Sequence, residues 1–98
     1  MSIFALSSGP GTSGVAVIRI SGPEASLVIK KLTRKKIPEP RVATFRKIHY
    51  INTSELIDEG LILWFPGPES YTGEDLAEIH VHGSKTVVDA IQLSISEI

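Results

Sequence analysis

One stretch constrains this chain more than any other: LILWFPGPESYTGEDLAEIHVHG, from Leu61 to Gly83. An apolar run, Leu61 to Phe65, stops at Pro66-Gly67-Pro68, which neither a helix nor a central strand can run through. A polar loop, Glu69 to Asp75, leads into the alternating segment Glu78-Ile79-His80-Val81-His82. Side chains alternate sides along a strand, so Ile79 and Val81 are predicted to face a core, with Glu78, His80 and His82 on the other face. The stretch therefore reads as two strands joined by a glycine-containing loop, with a carboxylate on the open face of the second.

The rest of the chain supplies a scaffold. Ile3 to Leu6 is a short strand candidate. Gly9-Pro10-Gly11-Thr12-Ser13-Gly14 has the glycine spacing of a dinucleotide loop, which works only where a helix begins at the last glycine. The next residues, Val15 to Ile20, form a β-branched run, so the glycines read as a loop between strands. Ser21-Gly22-Pro23-Glu24 reads as a capping box opening a helix, with Ala25, Val28, Ile29 and Leu32 as its buried stripe. Lys30, Lys31, Arg34, Lys35 and Lys36 close that helix, and Val42 to Tyr50 reads as a strand. Glu55 to Phe65 contains one strand or a pair. Ser84 to Ile98 reads as a second helix, with Val87, Val88, Ile91, Ile95 and Ile98 on one stripe. That helix stops in mid-pattern, so the parent protein is expected to continue. The order predicts an α+β domain: a mixed β-sheet with two to three helices.

Composition narrows the function. A net charge of −1 argues against a domain devoted to gripping phosphates. No apolar run approaches the ~20 residues that a membrane-spanning helix needs, and no cysteine is present for disulfides or thiolate chemistry. A cytoplasmic location is expected.

Two side chains carry the candidate chemistry. Arg19 shares a face with Val15 and Val17, where its guanidinium either reaches water along its stem or holds an anionic or planar ligand group. Glu78 reads either as a solvated strand residue or as a carboxylate accepting two parallel donors from a heterocycle. Glu78, His80 and His82 together imitate metal ligands, but their outer members stand about 13 Å apart along a straight strand, too far to share one ion. The pair His80 and His82 stays open as a metal site, against a plain polar-face reading. Gly83-Ser84-Lys85-Thr86 lacks the glycine spacing of a nucleotide phosphate loop. The basic cluster from Lys30 to Lys36 suits either the negative end of a helix dipole or RNA.

IFALSSGPGTSGVAVIRISGPEA and IDEGLILWFPGPESYTGEDLAEIHVHG together resemble the N-terminal domain of the tRNA-modification GTPase MnmE (TrmE) family, over nearly the whole chain. The resemblance implies a tetrahydrofolate-binding fold similar to the folate domain of glycine-cleavage T-protein. It implies that residues 1–98 are an N-terminal folate-binding and dimerisation domain, truncated at its C-terminal end, without the parent's helical and GTPase domains. The folate-contacting arginine matches Arg19 and the glutamate matches Glu78, while a third contact, a lysine, lies beyond Ile98. Thr12-Ser13 stand where the family pattern has a basic residue beside a small one.

The implied cofactor is 5-formyl- or methylene-tetrahydrofolate, with GTP, magnesium and potassium confined to the missing part. The implied partners are a second copy, an FAD-dependent protein (MnmG) and tRNA, with no membrane. The implied reaction of the parent adds a carboxymethylaminomethyl group to carbon 5 of the wobble uridine, and this chain alone is catalytically silent. Two further readings stand beside it: a pure assembly module, and the folate domain of an aminomethyltransferase-like enzyme.

Overall fold

The computed structural model describes residues 3–6 and 14–98. Its elements run β1 (Ile3–Leu6), β2 (Val15–Ser21), α1 (Ala25–Thr33), β3 (Thr44–His49), β4 (Leu56–Phe65), β5 (Leu76–His82) and α2 (Lys85–Ser96). That is the element order the sequence predicts, in an α+β fold. The loop from Gly9 to Ser13, which carries the Thr12-Ser13 departure, lies outside the described residues.

The strands form one five-stranded sheet in the order β1-β2-β5-β4-β3. Where the sequence predicts a mixed sheet, each pairing among the described residues is antiparallel. Parallel neighbours need a crossover between adjacent strands. Here the crossover helix α1 runs from β2 to β3, which are not adjacent, while a turn joins β3 to β4 and the 66–75 loop joins β4 to β5. The segment Glu55 to Phe65 resolves as a single ten-residue strand, β4.

Alternation decides the layers. On β5, Ala77, Ile79 and Val81 are buried. Ile79 stands between Ile18 of β2 and Ile62 of β4 in register, and all three are fully buried. The stripe of α1 (Ala25, Val28, Ile29, Leu32) and that of α2 (Val88, Ile91, Ile95) complete the same core. Both helices thus belong to one side of the sheet. The other side presents Arg19, Glu78, His80, Leu61 and Phe45 with no helix among the described residues over it, and that asymmetry leaves room for a ligand.

Each helix has its own start. Ser84 caps α2, accepting from the Val87 amide at 3.4 Å, as the sequence predicts. The capping box predicted for α1 does not form. Ser21 belongs to β2, and its hydroxyl is 2.8 Å from that of Thr72. Glu24 occupies the cap position without a side-chain cap bond. The strand runs one residue further than the pattern suggests, and Gly22, at φ 124°, makes the turn.

Candidate functional site

β2 and β5 pair so that Arg19 lies directly opposite Glu78. The Arg19 Nε donates to Glu78 Oε2 at 2.7 Å, and the Nε2 of His80 is 3.0 Å from Oε1. The Glu78 side chain is 15% exposed against 49% for Arg19, so the acid is sheltered while the guanidinium reaches toward solvent. Burial alone would push the Glu78 carboxyl up, but the hydrogen bonds from His80 and Arg19, with their charge, outweigh it and hold the group below its ordinary value. Glu78 is therefore a pre-ionised acceptor. A carboxylate offers about four lone-pair positions, so two remain after these bonds.

Beside this pair opens a cavity of about 570 Å³ lined by Arg19, Phe65, Glu69, Ser70, Tyr71, Leu76 and Glu78. Its size falls in the range of small-molecule sites. Phe65 and Leu76, opposite each other in the β4–β5 register, give it an apolar floor, and the 66–75 loop supplies a wall. Tyr71 on that wall is 94% exposed.

The loop is braced from three sides. Asp75 Oδ1 accepts from the Gly67 amide at 2.9 Å, and the Asp75 carbonyl accepts from the Gly22 amide at 2.9 Å. Arg41 donates from Nη2 to the Glu69 carbonyl at 2.6 Å and from its amide to the Trp64 carbonyl at 2.8 Å. The Ser70 hydroxyl donates to the Glu74 carbonyl, and Thr72 is tied to Ser21. Gly67 is the tight point: a Cβ there would lie 2.8 Å from the Glu74 carbonyl carbon, so no larger residue fits without moving backbone.

The histidines part company. His80 turns to Glu78, while His82 Nδ1 lies 2.9 Å from both oxygens of Asp58, and the His82 amide donates to Oδ2 at 3.0 Å. Burial would raise the Asp58 carboxyl, yet the bonds from the backbone and ring of His82 and from the Glu59 backbone hold it below its ordinary value. No group of three or more His, Cys, Asp or Glu side chains among the described residues is arranged to hold a metal ion.

Sequence reasoning picks out Arg19 and Glu78, and the fold sets them face to face. It misses Arg41, Asp75 and Phe65. Asp75, directly ahead of a strand, carried a local signal as a loop acceptor. Arg41 carried none, because its partners are backbone groups distant in sequence.

Residues 2–97 match the family model described as GTP-binding protein TrmE N-terminus. The chain is 67% identical over 98 residues to the tRNA modification GTPase MnmE of Pelagibacter ubique (strain HTCC1062), covering 100% of this chain and 22% of that protein. It is 52% identical over 89 residues to the 5-taurinomethyluridine-[tRNA] synthase subunit GTPB3, mitochondrial, of Danio rerio, covering 91% of this chain and 18% of the relative. Against the tRNA modification GTPase MnmE of Zymomonas mobilis subsp. mobilis (strain ATCC 31821 / ZM4 / CP4) it is 49% identical over 96 residues, covering 98% and 22%. The chain spans 18% to 22% of the length of these relatives. With a match running almost from end to end, this chain belongs to the family of TrmE N-terminal domains.

Proposed function

We propose that this chain is the one-carbon tetrahydrofolate-binding and homodimerisation module of a GTPase that modifies carbon 5 of the tRNA wobble uridine, with Arg19 and Glu78 as its folate-binding residues. The observation that carries this reading is an ionised, sheltered Glu78 beside a 570 Å³ cavity with an aromatic floor. A pterin presents an amino group next to a ring N–H, and a carboxylate with two free lone pairs accepts that edge in parallel. Phe65 and Tyr71 offer faces for the flat ring. Arg19, paired through Nε, retains its Nη donors for a carbonyl or carboxylate of the ligand.

Bound there, 5-formyl- or methylene-tetrahydrofolate supplies the one-carbon unit of the modification, while the chain binds and orients it. GTP hydrolysis, magnesium and potassium belong to the remainder of the parent, as do the contacts with an FAD-dependent partner. The names of the relatives support the tRNA assignment. No helix among the described residues is long and apolar enough to cross a membrane. A cytoplasmic setting is part of the proposal.

Calorimetric titration of 5-formyltetrahydrofolate into the full-length protein tests the site. Wild type binds and Glu78→Ala does not. Undiminished binding by that variant refutes the role of Glu78.

A second reading, assembly alone, is favoured by the exposed apolar residues on and beside the open face, Val15 at 52%, Phe45 at 58% and Leu61 at 42%. Sedimentation separates it from the first: a dimer that ignores folate supports assembly, and a strict monomer at high concentration ends it.

A further inference from the structure

Eight of the ten Lys and Arg residues lie between positions 30 and 47, accompanied by one acid, Glu39. Two of the eight have structural work. Arg34 leaves α1 in a left-handed conformation (φ 61°), and its Nη2 donates to the carbonyls of Tyr50, Ile51 and Thr53. Arg41 braces the 66–75 loop. The other six need a different explanation.

The fold gathers five of them, all but Lys31. The C-terminal end of α1 packs beside β3, the edge strand of the sheet, so Lys30, Lys35 and Lys36 share an open groove of about 780 Å³ with Arg46. A second hollow of about 430 Å³, lined among others by Lys35, Phe45, Lys47 and His49, also takes in Arg46. The ion pairs of the described residues lie elsewhere, at Arg19–Glu78, His80–Glu78, His82–Asp58 and Lys85–Asp89. Moreover, Arg46 uses Nη1 on the Phe45 carbonyl, and its buried Nε has no acceptor among the described residues. Nor has the buried Nδ1 of His49 a partner there.

A helix dipole accounts for cations in the last turn of α1, but not for Arg46 and Lys47 on a different element. Cations spread over a helix end and a neighbouring strand suit a chain of phosphates better than one anion. Phe45, 58% exposed at the rim, offers a face on which a base can stack. The apolar stripe of α1 is buried in the core, which leaves Leu27 as its one exposed large apolar side chain, too little for an amphipathic face in a lipid surface.

We propose that the groove between the α1 C-terminus and β3 binds the sugar-phosphate backbone of RNA, through Lys30, Lys35, Lys36, Arg46 and Lys47, with Phe45 as a stacking platform. The choice of RNA over another polyanion rests on the reading given under Proposed function. The groove itself rests on geometry separate from Arg19 and Glu78.

Fluorescence anisotropy with labelled unmodified tRNA and the full-length protein, across a salt series, tests the proposal. The triple variant Lys30→Gln/Lys35→Gln/Lys36→Gln is expected to bind at least tenfold more weakly, with the log–log salt slope reduced by about 2 to 3. Lys85→Gln, on α2, leaves both unchanged. Phe45→Ala weakens binding several-fold without changing the slope. Titration with 5-formyltetrahydrofolate keeps the two sites distinguishable, because the triple variant retains wild-type folate binding if both readings hold. Should the triple variant misfold, Lys47→Gln alone is expected to lower the slope by about 1. Unchanged tRNA affinity in a folded variant, or an equal loss in Lys85→Gln, overturns the proposal. So does polyglutamate displacing tRNA at equal charge concentration, which would assign the groove to an acidic protein.

Discussion

Arg19 and Glu78 stand 59 positions apart in the chain and directly opposite each other in the sheet, joined through Nε and Oε2 at 2.7 Å. The same carboxylate takes His80 on its other oxygen, so the acid is aimed before any ligand arrives. Preorganisation of this kind lowers the ordering cost of binding. It also makes the geometry of the arginine matter beyond its charge.

Arg19→Lys keeps the charge and removes the planar fork. Loss of one charge-assisted hydrogen bond corresponds to about 1.5–3 kcal/mol, so folate affinity should fall by roughly 10- to 150-fold. Stability should change by no more than about 1 kcal/mol, because the guanidinium is half exposed. Calorimetry and urea denaturation of the same variant check both halves.

Asp58 gives a pH signature. Its carboxyl is held below the ordinary value of 3.8, so the folded state binds fewer protons than the unfolded chain in that range. The associated stability is therefore fully present above about pH 4 and lost as pH falls from 3.8 through the lowered value. Glu78 acts in the same direction below its ordinary 4.5. Asp58→Asn should lower stability at pH 7 by no more than about 1 kcal/mol, given how exposed His82 is, and flatten the acid limb of the melting curve. An acid limb as steep as wild type would contradict this.

Gly60 of β4 abuts the backbone of β5 at His80. A Cβ there would sit 2.1 Å from the His80 carbonyl oxygen, so Gly60→Ala must push two strands apart. A loss of at least ~2 kcal/mol is expected, read as a lower urea midpoint with little change in slope.

Gly67→Ala should separate site from scaffold. Its Cβ would strike the Glu74 carbonyl carbon at 2.8 Å and shift the loop that walls the cavity. Folate affinity should drop at least tenfold while the helical circular-dichroism signal persists, since neither helix touches that loop's bracing bonds.

Much of this was legible beforehand, and the reasons differ by residue. Ile79 and Val81 announced their face through strict alternation, and the stripes of both helices followed from periodicity. Arg19 and Glu78 were readable as an arginine on an apolar strand face and an acid on an open one. That they touch was not readable, because register between strands so far apart in sequence is set by the core they share. The α1 cap was misread because Ser21 has two local futures, a helix cap or a strand end bonded to Thr72, and the partner that decides lies 51 residues away. The groove beside β3 was half visible: the lysines stood in one run, while Arg46 and Lys47 joined them only through the packing of an edge strand on a helix end.

β5, the last strand in chain order among the described residues, lies between β2 and β4 in the middle of the sheet. A ribosome-bound intermediate that has emerged only through β4 holds the arginine without its acid, and two halves of a sheet without their centre. Insertion of β5 therefore joins the two halves of the sheet and forms the arginine–carboxylate pair in a single event.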